Sequence, residues 1–132
     1  MLPIDKSGKV YLVRERKYAV DEIQTTCVMG GIGDNETPLE AAHRELREEL
    51  GIRAKKITPL GSDEILGSRI ASPHYLFIAE NVSFGDTKLA GESIEMVTVS
   101  SIHEAIEIVM RGDITDAQSC LLILKAGQFL GV

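Results

Sequence analysis

The sequence predicts an α/β domain of the α+β kind, in which a mixed β-sheet is sandwiched between helices. Two observations support this prediction. Short segments rich in β-forming residues lie on both sides of a long helical segment, and two more helical segments follow the last of them. The length of 132 residues fits one domain, so residues 1–132 are predicted to form a single domain with its own core.

Composition restricts the classes of partner. The formal net charge is −6 and the cations are scattered, which disfavours a nucleic-acid polymer as ligand. No apolar run is long enough to span a bilayer, and the first residues do not resemble a signal peptide, so we expect a cytoplasmic protein without a membrane partner. Cys27 and Cys120 lie far apart in apolar surroundings, and we expect both to be reduced core residues.

The strands are predicted from β-forming residues and from the turn residues beside them. Residues 9–14 follow a Lys-Ser-Gly turn, and residues 23–29 are ended by Gly30 and Gly31. The further strand candidates are residues 56–61, 74–80 and 95–100.

The first helix is predicted from its end signals. Thr37 and Glu40 form a capping box, and Pro38 takes the favoured first position. Gly51 is a plausible left-handed cap at the other end. The apolar face that we expect to pack on the sheet consists of Leu39, Ala42, Leu46 and Leu50.

Two helices are predicted at the end of the chain. Ser101 and Glu104 form a second capping box, and Gly112 ends that helix. The last helix is expected to begin near Thr115 or Asp116. Its expected apolar face consists of Ala117, Cys120, Leu121 and Leu124. The apolar faces of these two helices favour a homodimer.

Three carboxylates share one face of the first helix. Glu45, Glu48 and Glu49 have i, i+3 and i+4 spacing, so they repel one another, and a hard cation such as Mg²⁺ would offset this repulsion. The alternative is a solvated helix face on which Arg44 and Arg47 pair with the glutamates.

The wider pattern favours the metal site. Residues 30–52 read GGIGDNETPLEAAHRELREELGI. This segment resembles the Nudix box, and it matches every fixed position of that motif. The chain is therefore identified as a member of the Nudix hydrolase family, and the resemblance implies the Nudix fold and hydrolysis of a diphosphate linked to a nucleoside or similar group.

The resemblance also implies a set of metal ligands. Glu45 and Glu49 look like direct ligands, Glu48 a ligand directly or through water, and the backbone carbonyl of Met29 a further ligand. The implied cofactor is Mg²⁺, with Mn²⁺ as an alternative. Within the box, Arg44 would orient the carboxylates through a salt bridge to Glu48. The remaining box residues have structural roles: Glu36 would steady the loop, Gly30 would allow close approach of backbone and metal, and Gly51 would end the helix.

The flanking segments resemble the ADP-ribose pyrophosphatase-like subgroup. The start LPIDKSGKVYLVRERKYAV and the tail GDITDAQSCLLILKA carry this resemblance. It favours ADP-ribose or a related nucleotide sugar as substrate. It also nominates Glu92, and then Glu95, as the general base, while Glu48 is the candidate within the box. Ordinary loop and strand charge is the alternative for Glu92 and Glu95.

A few residues outside the box are candidates for substrate binding. Arg16 and Lys17 are candidates for phosphate contacts, and Tyr18 and Tyr75 for stacking on a base. His74 begins a predicted strand and is a candidate to face the substrate. For all five, surface or rim positions are the alternative.

Two other functions remain open. One is a nucleoside triphosphate pyrophosphohydrolase that cleans the nucleotide pool, and the other is a catalytically silent Nudix domain that binds a nucleotide and regulates a partner. An intact box disfavours the silent domain, because silent members usually have damaged boxes.

Overall fold

The computed structural model describes residues 1–85 and 94–132. In these ranges the elements are β1 Leu2–Asp5, β2 Val10–Lys17, β3 Glu22–Thr26, α1 Pro38–Leu50, β4 Ile52–Arg53, β5 Lys56–Glu64, β6 Pro73–Phe84, β7 Glu95–Val99, α2 Ile102–Arg111 and α3 Ala117–Leu130. The predicted helices and strands are present, although several strands are longer than expected and the second ends at Thr26. The short strands β1 and β4 are additional to the prediction.

The strands form one mixed sheet. Strand β2 pairs antiparallel with β3 and β7, and β6 pairs antiparallel with β4 and β5. The four residues of β1 connect these two groups, because β1 runs antiparallel to β2 and parallel to β6. The parallel pairing, Leu2 opposite Ile78, explains why no local pattern predicted β1: its partner is far away in the sequence.

Helices cover both faces of the sheet. On one face, Ala105 of α2 and Leu122 and Ile123 of α3 are buried against Leu12 and Ile78. On the other face, Leu46 and Leu50 of α1 are buried against Tyr11, Val13 and Ala79. The predicted arrangement of a mixed sheet sandwiched between helices is thereby confirmed.

Alternation along β2 determines which of its side chains face α1. Tyr11 and Val13 pack in the core beneath α1, whereas Val10 and Leu12 pack beneath α2 and α3. Because successive side chains point to opposite faces, Glu15 and Lys17 continue the row of Tyr11 and Val13.

A β-bulge changes the alternation along β5. Pro59 is opposite Phe77 and Gly61 is opposite Leu76, so Leu60 is the extra residue of the bulge. Gly61 has a φ of 102°, which a residue with a side chain rarely adopts. Beyond the bulge, Asp63 lies directly opposite His74.

The ends of α1 are built as predicted. The Thr37 side chain accepts from the Glu40 amide, the Glu40 carboxylate accepts from the Thr37 amide, and Gly51 is left-handed with a φ of 63°. The predicted apolar face is wrong at one position, because Leu39 is 43% exposed and Ala41 is buried instead.

The last two helices differ from the prediction in detail. Ser101 caps α2, but the Glu104 carboxylate accepts from the Ser100 amide rather than from Ser101, so the capping box is incomplete. The predicted apolar face of α3 is wrong, since Leu121 and Leu124 are partly exposed. The buried residues of α3 are Ser119, Leu122, Ile123, Ala126 and Gly127.

The two cysteines are free thiols, Cys27 buried and Cys120 half-buried. Burial raises the pKa of Cys27 to about 11, so this thiol stays protonated at neutral pH. Among the described residues, no helix is long and apolar enough to cross a membrane.

Candidate active site

The three box glutamates have unequal environments on α1. The Glu45 side chain is only 13% exposed, whereas that of Glu48 is 55% exposed. Glu49 is half-buried at the end of the helix that faces β2. Glu45 and Glu49 are therefore the inner pair, and Glu48 lies at the rim.

Arg44 connects the box helix to the loop before it. Its Nε and Nη2 donate to the two carboxylate oxygens of Glu36 at 2.7 and 2.9 Å, and Nη2 also donates to the Gly31 carbonyl at 2.8 Å. Nη1 donates to Glu45 at 2.8 Å and to Glu48 at 3.2 Å. The expected contact with Glu48 is present, but it is the longest of the five, and the bidentate pair with Glu36 is the main anchor.

Glu36 stabilises the loop through two kinds of contact. Besides Arg44, its carboxylate accepts from the Gly33 amide at 2.9 Å. These hydrogen bonds lower the pKa of Glu36 to about 2, with Arg44 as the larger cause. The loop is thus fixed by an ionised carboxylate at any pH near neutrality.

Gly30 lies directly against Glu45. A Cβ built on Gly30 would be 2.2 Å from both Cγ and Cδ of Glu45, whereas a Cβ on Gly31 would meet nothing within 4 Å. We expected Gly30 to allow an approach of backbone to metal. The structure shows that the absent side chain leaves space for the Glu45 carboxylate.

Neighbouring elements position Met29. The Val28 amide donates to the Met1 carbonyl at 3.1 Å, and the Cys27 amide donates to the Ser119 hydroxyl at 2.8 Å. These bonds attach the segment to Met1, just before β1, and to the first turn of α3, and the residue after Met29, Gly30, lies against Glu45 of α1.

Glu49 is in an environment that disfavours its charge. Burial is the largest cause, and the nearby carboxylates of Glu45 and Glu15 add to it, so the pKa of Glu49 rises to about 7. Lys17 acts in the opposite direction but is itself paired with Glu15. A cation between Glu45 and Glu49 would relieve this repulsion.

The donor set suits a hard cation. The carboxylates of Glu45 and Glu49 and the Met29 carbonyl offer oxygen atoms, the kind of ligand that Mg²⁺ prefers. Within residues 1–85 and 94–132, no three His, Cys, Asp or Glu side chains form a ready-made metal site. This is compatible with Mg²⁺, which usually takes one or two carboxylates and completes its shell with water and substrate phosphates.

A cavity of about 370 Å³ adjoins the box. Gly30 and Glu45 lie at one side of it, and His74 and Gln118 also line it. Apolar parts of its wall come from Ile32, Pro38, Ala41, Phe77 and Leu122. Its volume lies near the lower end of the range for small-molecule sites, about 300–1,000 Å³.

The three candidate substrate-binding residues at the end of β2 and in the turn after it do not lie together. Lys17 shares the α1 face with Glu15 and lies near Glu49. Arg16 pairs with Asp21, and Tyr18 is 89% exposed in the turn after β2. Only Lys17 of the three therefore lies next to the box helix.

The two candidates for the general base also differ. Glu92 lies outside the described residues. Glu95 is exposed at the start of β7, directly across from Arg14 in the strand register. Since Ile94 and Met96 pack on the α1 side and Val97 on the other, alternation places Glu95 on the face away from α1.

Sequence reasoning missed several residues beside the site. Glu15 follows from the alternation of Tyr11 and Val13 once the strand is extended to Lys17, so a signal existed. Asp63 and Gln118 had no such signal, because the orientation of α3 brings Gln118 to the cavity and the bulge in β5 brings Asp63 behind it. His74, a candidate from the sequence to face the substrate, lines the cavity.

Comparisons with known proteins agree with this geometry. The NUDIX domain model matches residues 1–118. The ADP-ribose pyrophosphatase of Bacillus subtilis (strain 168) is 26% identical over 133 residues, covering 93% of this chain and 68% of the relative. A solved structure described as an ADP compounds hydrolase superposes with a TM-score of 0.86 at 21% identity, covering 98% of this chain and 70% of the other, which shows a shared fold. The chain therefore belongs to the Nudix hydrolase family, a family of pyrophosphohydrolases, and it is similar to the ADP-ribose pyrophosphatase-like members.

Proposed function

We propose that the protein is a Mg²⁺-dependent hydrolase that cleaves the pyrophosphate bond of a nucleoside diphosphate linked to another group. ADP-ribose or a related nucleotide sugar is the favoured substrate. The observation that carries the proposal is the placement of the inner carboxylate pair, Glu45 and Glu49, beside a cavity whose wall includes Glu45 itself. A diphosphate near these carboxylates would have its attached group within reach of the cavity.

Each residue of the site has a separate role in the proposed reaction. Glu45, Glu49 and the Met29 carbonyl would hold the cation, with Glu48 at the rim as a direct or water-mediated ligand. A divalent cation bound there would neutralise phosphate oxygens and activate a bound water. Arg44, fixed by Glu36, orients Glu45 and Glu48.

Removal of a proton from the attacking water requires a base outside the inner pair. We propose Glu92 as this base, because carboxylates that bind cations are poor proton acceptors. Glu95 is the secondary candidate, and its position on the far face of the sheet argues against a direct role. Glu48, exposed and bonded only to Arg44 in the described contacts, is the candidate within the box.

Lys17 is the best placed of the candidate phosphate contacts on β2. Its side chain is 28% exposed and lies on the α1 face, whereas Arg16 and Tyr18 point away from the box helix or into solvent. We therefore propose that Lys17 contacts a phosphate of the substrate.

A substrate screen tests the proposed function. Purified protein is incubated with Mg²⁺ and a panel of nucleotide sugars, dinucleotides and nucleoside triphosphates. Products are detected as phosphate, after a phosphatase for the nucleotide sugars and dinucleotides and after an inorganic pyrophosphatase for the triphosphates. We expect ADP-ribose or another nucleotide sugar to give the highest kcat/KM, and the Glu49→Gln variant to give no signal above background. Preference for a triphosphate would support the pool-cleaning alternative, and binding without hydrolysis of any compound would support the silent domain.

A further inference from the structure

A group of three polar side chains lies at the side of the cavity formed by β5, β6 and α3. His74 and Gln118 line the cavity, and Asp63 lies behind them. None of the three belongs to the Nudix box, and none has a role in the reaction described above. We call Asp63, His74 and Gln118 the β5–α3 cluster.

The bulge in β5 creates this cluster. If Leu60 were paired in regular register, with no bulge, alternation would place Asp63 on the same face as Pro59, toward α1. The bulge moves Asp63 to the face of Leu76 and Ile78, where it lies directly across from His74 and under the first turn of α3. A polar side chain thus faces the covered side of the sheet, where its burial costs free energy unless the side chain is hydrogen-bonded.

Asp63 lies against both of its neighbours. The Gln118 Nε2 donates to Asp63 Oδ1 at 3.1 Å, and His74 Nδ1 lies 3.5 Å from the same oxygen. Because one N–H of the Gln118 amide is engaged with Asp63, the carbonyl oxygen Oε1 and the second N–H are the groups left to meet a ligand. Since His74 Nδ1 faces the carboxylate, the other ring nitrogen, Nε2, is the atom that can meet a ligand.

The polar demands of the cluster are incompletely met by the protein. Among the described residues, Asp63 Oδ2 and His74 Nδ1 are buried without a hydrogen-bond partner. Buried polar groups that lack partners in a protein commonly mark a site that a ligand or water completes. The cluster lies in the wall of the same cavity as Glu45 and Gly30, so a ligand that occupies this cavity can reach both.

We propose that His74 and Gln118 recognise hydrogen-bond donors on the nucleoside part of the substrate, and that Asp63 is the positioning residue that orients both. The apolar walls from Ile32, Pro38 and Phe77 suit the flat face of a base or the body of a ribose, and two acceptors suit an exocyclic amine or a pair of ribose hydroxyls. This inference rests on the proposed function, because it assigns a nucleotide to the cavity.

Calorimetric titration with AMP in the presence of a chelator tests the inference without hydrolysis. We expect Gln118→Met, which keeps the size but loses the acceptor, to raise the dissociation constant of AMP by at least about tenfold. The matched control is Gln128→Met on the exposed side of the same helix, which should bind like the unmodified protein. Equal affinity of all three proteins, or no AMP binding at millimolar concentration, would overturn the proposal.

Two further ligands distinguish the donor groups. IMP lacks the amine of AMP, and ribose 5-phosphate lacks the base. If the amine is recognised, Gln118→Met weakens AMP but neither of the other two. If the hydroxyls are recognised, all three ligands are weakened. Either result supports the role of the cluster.

Steady-state kinetics on ADP-ribose test the positioning role of Asp63. We expect Asp63→Asn and Gln118→Met to raise KM by at least about tenfold and to change kcat by less than about threefold, because the box is untouched. A parallel loss of kcat in both variants would show a merely structural role and would overturn the proposal. If the unmodified protein hydrolyses no diphosphate, the proposed function fails, while the AMP titration still decides the inference.

Discussion

Replacement of Gly30 by alanine tests the view that the loop before α1 sets the position of the Glu45 carboxylate, a proposed metal ligand. The added Cβ would lie 2.2 Å from Cγ and Cδ of Glu45, and ordinary contact begins at 3.4 Å. Loop and side chain must therefore separate by about 1.2 Å, and the carboxylate leaves the position in which Arg44 Nη1 bonds it at 2.8 Å.

The size of the effect follows from this displacement. A misplacement of about 1 Å in a catalytic group costs about 10²-fold in rate, which corresponds to about 2.7 kcal/mol of transition-state stabilisation. We expect Gly30→Ala to lower kcat/KM by about 10²-fold and to raise the Mg²⁺ concentration needed for half-maximal rate. The fold should persist, because Gly30 is exposed and its φ lies outside the glycine-favouring region.

The neighbouring glycine supplies a matched control. Gly31 lies in the same loop, also has an ordinary φ, and has open space where its Cβ would be. Its carbonyl, which accepts from Arg44, remains in an alanine variant. We expect Gly31→Ala to keep kcat/KM within about threefold. Equal losses in the two variants, or near-normal activity of Gly30→Ala at saturating Mg²⁺, would refute the steric explanation.

Four further predictions concern the box, the base, acid stability and assembly. Glu49→Gln should reduce turnover by at least about 10²-fold. In the metal-free protein at pH 8, Glu49→Gln should also raise the free energy of unfolding by about 1 kcal/mol, measured by urea unfolding. The reason is that the pKa of Glu49 in the folded protein, about 7, exceeds its ordinary value, so the charged carboxylate destabilises the native state as pH rises through 7. Glu92→Gln should lower kcat by about 10²–10⁴-fold, and Glu95→Gln should lower kcat by less. The reverse ranking in steady-state assays would assign the general base to Glu95, and small effects of both changes would assign it to a box residue. Glu36 has its pKa lowered to about 2, so its contribution to stability is present above pH 4.5 and is lost as pH falls toward 2; Glu36→Gln should flatten the pH dependence of the unfolding midpoint in that window. The partly exposed apolar side chains of α2 and α3 favour a homodimer, and light scattering at micromolar concentration that shows a single 14.4 kDa species would contradict it.

Elements defined by local interactions were predictable from the sequence. The bounds of α1, its capping box at Thr37, its left-handed cap at Gly51 and the shared face of Glu45 and Glu49 all depend on residues within four positions of one another. The motif in residues 30–52 added the family, because its fixed spacing reflects this same helix and loop.

Elements defined by distant contacts were not predictable in this way. Helix α3 is apolar on most of its surface, so its periodicity did not show that Leu122 and Ile123, rather than Leu121 and Leu124, face the core. That choice depends on how the helix packs on the sheet.

Local sequence signals therefore specified the box helix, the shared face of its carboxylates and the layered architecture. Only the tertiary structure placed Glu15 beside Glu49, Gly30 against Glu45, and Asp63 across from His74 and Gln118. The physical reason is that strand register, a one-residue bulge and helix packing join residues far apart in the chain, and these long-range pairings leave no periodic trace in the sequence.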